Sequence, residues 1–349
     1  MGTNIGLFIL ESDAARQDWK LTGPHHTGWK VYSAFADGDL LLAGLANDVF
    51  GSSLQRSTDG GATWAAVEGA PAHAKGGDRR LKHIWQIVRG GDGRSLLAGV
   101  ADAALFRSDD EGLTWQINAG LEAHPTREDW NPGAGGLCLH TIIPDAQDPA
   151  RLFIAISAVG MFRSDDDGRS WIIKNEGIRP ALPEEAPKYT EINRCVHKAV
   201  QDPTEPERLY QQNHTGVYRS TNAGDSWERI ENGLPSWFGF SMLIHPRRPR
   251  TLYNIPMEAD ANRQFAGGQM RVYRTDDGGD NWRPAGKGLP ERAFSGALRD
   301  AFVLDGLEPL GLYAGTTGGE LFQSRDEGGS WERLPGSFPR ILSVKAFAD

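Results

Sequence analysis

Short apolar-rich runs, each bounded by Gly, Pro or Asp, recur along this chain, which is the pattern of many brief β-strands joined by tight turns. The stretch from Leu137 to Lys174 is representative. Leu137–Pro144, Arg151–Ser157, Gly160–Arg163 and Trp171–Lys174 read as four successive strands, A to D, of one sheet.

Between strands C and D the polar residues follow a rule. Six segments, Ser57–Trp64, Ser108–Trp115, Ser164–Trp171, Ser220–Trp227, Thr275–Trp282 and Ser324–Trp331, share the form Ser/Thr-x-Asp-x-Gly-x-Ser/Thr-Trp. Two copies drift, with Asn222 at the Asp position and Asn281 at the second Ser/Thr. The tryptophans are spaced 51, 56, 56, 55 and 49 residues apart, the length of one four-stranded blade with its connections. Turn chemistry explains the pattern: Asp and Ser side chains bond nearby backbone amides, and Gly accepts a positive φ. The Trp opens the next strand and buries roughly 200 Å² between sheets, worth about 5 kcal/mol at most.

These repeats resemble those of the Asp-box (bacterial neuraminidase repeat) β-propellers. Over nearly its whole length the chain is similar to bacterial proteins of that group described as glycosyl hydrolase-like or sialidase-like. More distant relatives in architecture include sialidases, xyloglucanases, sortilin-type receptors and the photosystem II assembly propeller. Their activities differ completely, so the resemblance implies a fold and not a reaction. Sialidases also carry an arginine triad, a Tyr/Glu pair and an early Arg-Ile-Pro motif on six blades. This chain has neither that early motif nor that blade count, so sialidase activity is not expected.

A seventh, degenerate box runs from Ser12-Asp13 to Trp19, and Gly2-Thr3 and Leu7-Phe8 mirror Gly315-Thr316 and Leu321-Phe322. The expected fold is therefore all-β: one seven-bladed propeller spanning residues 1–349, its ring closed by both termini in one blade. Arg340–Phe347 would be strand A of that blade and the first residues strands C and D. Strand B would fall mostly before Met1, so either the start is short or Met1–Asn4 makes do, and three good strands are expected there.

Propeller topology puts the C–D boxes and A–B turns on one face, and the B–C and D–A loops on the other, here called the top. The long insertions, Glu68–Lys82, Leu121–Gly136, Ile178–Asn193 and Glu258–Met270, all belong to the top, where long loops favour function. Eight histidines (His25, His26, His73, His83, His124, His140, His197 and His214) fall in top loops or inner strands, and only His245 maps to the bottom.

Composition narrows the partners. A net charge of −9 excludes the basic footprint of a nucleic-acid binder. No apolar run approaches the ~20 residues of a membrane span. Ile5–Leu10 lacks a basic lead and is followed by Glu11 and Asp13, so it does not read as a secretory signal, and a cytoplasmic location is the expectation.

Aligning the inner strands gives one polar position per blade: Ser33, Gln86, His140, His197, Ser241, Asp300 and Ser343. One reading is a hydrogen-bonded seam around a water-filled channel. The other makes His140, His197 and Asp300 a catalytic cluster at the axis, with Arg194 and Arg299 binding an anion above it. Cys138-x-His140 and Cys195-x-His197 occupy matching places in adjacent blades, so two Cys and two His form a zinc set by type, though not by zinc-finger spacing. Buried Cys ordinarily behaves as a small apolar residue. No cofactor is required, and a divalent metal is the one group these residues admit.

The top face also carries Glu128, Asp129, Glu184, Glu185, Glu191, Glu258 and Asp260. A glycosidase needs two carboxylates, about 5 Å apart for retention or about 6.5–9.5 Å for inversion. Trp130, Tyr189, Trp237 and Phe238 offer faces for a sugar to stack on. Two functions follow. The first is a hydrolase or lyase acting on a carbohydrate or small anionic polyol. There His140 or His197 serves as base and Asp300 orients or protonates. Arg194, Arg299, His25, His26, His83, Trp130, Tyr189, Glu191 and His214 contact the substrate. The second is a non-catalytic propeller offering its top loops to a protein partner.

Overall fold

The computed structural model describes residues 1–74, 76–133, 135–181 and 191–347. Seven four-stranded antiparallel sheets form the ring, each in simple A-B-C-D order. Blades 1 to 6 begin with inner strands Lys30–Asp37, His83–Arg89, Leu139–Pro144, Val196–Gln201, Gly239–Ile244 and Phe302–Leu304. Blade 7 joins the two ends of the chain, in the order Ile341–Ser343, Gly2–Thr3, Leu7–Glu11, Lys20–His25. Strand B is therefore present, which corrects the expectation of three strands. Gly2–Thr3 supplies it in two residues, Gly2 pairing with both Ser343 and Leu7.

The six boxes fold as their chemistry requires. In the first, Ser57 Oγ donates to Asp59 Oδ1 at 2.7 Å and accepts from Gly61 N at 2.9 Å, while Asp59 takes Thr63 N and Thr63 Oγ1. The two drifted copies keep the same partners, with Asn222 Nδ2 donating to Ser226 Oγ where an Asp would accept. Asn222 Oδ1 accepts from Ser226 N, and Asn281 Nδ2 donates to Asp277 Oδ2. The fourth residue of each box adopts a positive φ, including non-glycines Glu111, Asp167, Ala223 and Glu327.

That left-handed turn presents a carbonyl to the preceding blade. Arg56 donates to Glu111 O, Arg163 to Ala223 O, Arg219 to Gly278 O and Arg274 to Glu327 O. Arg107 reaches the Asp167 carboxylate instead, and Gln323 takes the arginine's place, donating to Arg16 O of the degenerate box. One side chain on strand C thus ties each of blades 1 to 6 to its successor. The core lies between the sheets, where Leu42, Phe106, Ile154, Phe162 and Phe302 are fully buried, each worth about 2–3 kcal/mol of transfer free energy.

The inner strands of blades 1 to 5 carry a β-bulge near their top ends. Val31 pairs with Leu45 and Ser33 with Gly44, leaving Tyr32 over; Trp85, His140 and His197 are left over in the same way. In blade 5, Phe240 and Ser241 together face Ile255. The bulge corrects the inner-strand alignment. Ser33 and Gln86 lie one residue beyond it, and the residues matching His140 and His197 are Tyr32 and Trp85. A bulge adds a residue without a composition signal, so alternation alone does not reveal it.

Candidate functional site

In blades 1, 4 and 5 a backbone carbonyl at the top of the inner strand is taken by a polar side chain of the preceding blade. His140 is fully buried, its Nε2 donates to Val196 O at 2.9 Å, and its Nδ1 faces Thr141 Oγ1 at 2.9 Å. Because a carbonyl only accepts, the proton lies on Nε2 and Nδ1 accepts from the Thr141 hydroxyl. In the next blade His197 Nδ1 donates to Gly239 O at 2.6 Å. Ser343 Oγ donates to Val31 O, and Gln86 Oε1 accepts from Ile142 N. Burial first, and the Arg299 guanidinium second, hold both imidazoles well below the ordinary histidine range, so they are neutral.

Arg299 spans the axis. Its guanidinium lies 4.9 Å above the Trp85 ring of blade 2 and 6.0 Å from the Phe240 ring of blade 5, and Nε donates to His197 O at 3.0 Å. Asp300 Oδ1 receives Lys198 Nζ at 2.6 Å, while Oδ2 is buried without a hydrogen-bond partner among the described residues. Lys345 is also close to this pair, and burial lowers its pKa, with the Lys198 charge acting the same way and Asp300 opposing. Lys198 and Lys345 thus flank one carboxylate in a chain of net charge −9. Ser33 Oγ and Ser241 Oγ are further buried polar atoms without hydrogen-bond partners among the described residues.

The structure brings His197, Arg299 and His214 together but shows no hydrogen bond linking His140, His197 and Asp300 to one another. Arg194 is spent on its own loop, donating to Ile178 O at 2.7 Å and Ile192 O at 2.8 Å. His25 and His26 pack near Trp64 at 6.3 and 5.0 Å, on the outer strand of blade 7, away from the axis. His83 packs on Tyr32 at 4.4 Å, and burial lowers its pKa to about 4. Trp130 is buried against Phe162, with Nε1 bonded to Thr126 Oγ1 at 2.8 Å, so it offers no face to a sugar. Glu191 is exposed and contributes its carbonyl to Asn175 Nδ2. Tyr189, Glu184 and Glu185 lie outside the described residues.

The Cys2His2 set does not converge. Cys138 Sγ donates to Gly135 O, whereas Cys195, His197 and His214 place one donor atom each within 4.8 Å of one another. Lys198, Lys345, Trp85, Tyr32 and Phe240 are the axial residues that sequence reasoning missed. A pattern search that allowed one inserted residue per inner strand finds all but Lys345.

The seven four-stranded sheets define a seven-bladed β-propeller. No protein-family model matches the chain, and no curated protein matches it. Solved structures do. A Niastella koreensis GH74 enzyme aligns at TM-score 0.57 and 17% identity, covering 86% of this chain and 46% of its own. An ancestral GH74 enzyme aligns at 0.57 and 18%, covering 86% and 38%. YCF48 bound to D1 peptide aligns at 0.54 and 16%, covering 90% and 88%. The chain spans less than half the length of those GH74 enzymes. At these identities the likeness is one of fold.

Proposed function

We propose that the protein is a binding propeller whose top face docks an apolar, aromatic-recognising peptide segment of a partner protein. The observation that carries this is the contrast between axis and rim. At the axis His140 and His197 are bonded to backbone carbonyls of neighbouring blades, and Asp300 Oδ1 is held by Lys198. On the rim, Val49, Phe50, Trp237 and Phe294 are 82%, 78%, 57% and 74% exposed. All four stand in top loops: the B–C loop of blade 1 and the D–A loops leading into blades 5 and 6. Exposed aromatics of this kind are the usual anchors of protein interfaces, costing about 2 kcal/mol or more each when truncated. The full-length likeness to a peptide-bound propeller agrees with this reading.

A glycoside hydrolase is the second reading, favoured by one atom: Asp300 Oδ2, buried and without a hydrogen-bond partner among the described residues. The neighbour of Asp300 is Lys198 rather than a second carboxylate, which is why this reading ranks below the first. One experiment separates them. Random peptides displayed on phage are selected on the native chain and counter-screened on a Phe50→Ser/Trp237→Ser/Phe294→Ser variant, with oligosaccharide hydrolysis assayed in parallel. Peptides lost on the rim variant at unchanged melting temperature support docking. Hydrolysis abolished by Asp300→Asn, with no peptide selected, overturns it.

A further inference from the structure

Above the bulge of blade 4, three side chains of metal-ligating type meet without any role in the docking reading. Cys195 immediately precedes the inner strand Val196–Gln201, and His197 is the bulge residue at that strand's top end. His214, at the end of strand B, is fixed beside them because its N–H donates to Cys195 O at 2.8 Å. The sulfur and one nitrogen from each ring lie within 4.8 Å of one another. A tetrahedral zinc ion with bonds of about 2.0–2.3 Å sets its donors about 3.3–3.6 Å apart, so closure by roughly 1 Å through side-chain rotation completes the set.

A second observation aims one of the ligands. His197 Nδ1 gives its proton to Gly239 O at 2.6 Å, which leaves the lone pair on Nε2. A ligating imidazole commonly has its far nitrogen tied to a backbone carbonyl in this way, because the bond fixes both tautomer and ring orientation. The two imidazoles stand 5.6 Å apart between centroids and nearly perpendicular, at 85°. His214 makes no side-chain hydrogen bond among the described residues, so neither of its nitrogens is committed. Phe238 and Phe240 pack around the pair, with His197 stacked on Phe240 at 4.5 Å, and wall it in apolar surface. Arg299 and Arg263 act on this corner with positive charge, and Asp260 with negative. Burial nevertheless pushes the Cys195 thiol up, so the thiolate that ligation requires forms only as a cation binds and displaces its proton.

We propose that Cys195, His197 and His214 bind a zinc-class divalent cation at the top of blade 4, with the fourth coordination position open to an outside donor. One thiolate and two imidazoles favour a borderline-soft ion over magnesium or calcium, which require oxygen ligands. Cys138 takes no part, being turned to Gly135 O one blade away.

Cobalt(II) titration of the native chain tests this, because a thiolate ligand produces a near-ultraviolet charge-transfer band that imidazole and carboxylate do not. The expected result is one equivalent of cobalt with that band, displaced by zinc, and protection of Cys195 from alkylation by either metal. Cys195→Ser should abolish the band, and Cys138→Ser should leave it unchanged. His214→Gln should lower affinity by more than the ~10–100-fold lost when a ligand's hydrogen-bond partner is removed. His197 is left intact because it also joins blades 4 and 5. Absence of the band and of protection in the native chain, or a band that survives Cys195→Ser, overturns the site. These readouts need no peptide, so their failure is separate from a failure of docking.

Discussion

His140 shows how a residue that looks catalytic by type becomes structural by position. Its strand, its polarity amid apolar neighbours and its place at the top were all legible in the sequence. What was not legible was the bulge, which turns the ring toward the next blade and gives both nitrogens a partner. A neutral, buried histidine has a pH signature. Its folded pKa lies well below the unfolded value near 6.5, so the unfolded chain binds the proton first. The stability from His140 is therefore complete above about pH 6.5 and falls as pH drops toward its folded pKa, at up to about 1.4 kcal/mol per pH unit. Chemical denaturation at pH 7.5, 6.5 and 5.5 should show declining stability in the native chain. His140→Gln should be less stable at pH 7.5 by about 1–3 kcal/mol, with a shallower decline. An unchanged slope in that variant would falsify the assignment of a neutral inter-blade histidine.

At the level of the blade, the box and its Trp were readable because turn chemistry is local: an Asp, a Gly and two hydroxyls suffice whatever the rest of the chain does. The inter-blade ties were not readable, because they join residues some 50 positions apart through backbone carbonyls that any residue supplies. The strand C arginine is one such tie. The glycine that follows strand D in several blades is another. Gly233 has φ +93° and approaches the backbone of Trp282 so closely that a Cβ would lie 2.1 Å from its carbonyl oxygen. Alanine there meets both an unfavourable φ and a backbone clash. Gly233→Ala should cost about 2 kcal/mol or more in urea denaturation, whereas Gly38→Ala, at a positive φ but in open space, should cost less. Equal losses would show that the conformation alone matters and that the Trp282 approach does not.

On the scale of the whole ring, the seven blades, the closure by both termini and the sorting of loops onto two faces followed from repeat spacing and strand order. The second strand of the closing blade was missed because two residues of ladder, Gly2–Thr3, leave no periodicity to read. The site was less legible than the fold. Sequence reasoning located the polar residues at the axis, but their pairing depends on rotamers and on contacts across the channel, such as Lys198 with Asp300. The exposed aromatics of the rim were named only in part, Trp237 as a sugar platform. The main rival surface is a cleft of about 610 Å³ on the outer side between blades 1 and 2, lined by Trp64, Val67, Leu113 and Thr114 among others. Hydroxyl-radical footprinting of the chain with a selected peptide bound distinguishes the two surfaces most directly. Docking at the top face requires that Phe50, Trp237 and Phe294 lose reactivity while Trp64 and Leu113 keep theirs; protection of Trp64 and Leu113 with the three rim aromatics unchanged would contradict it.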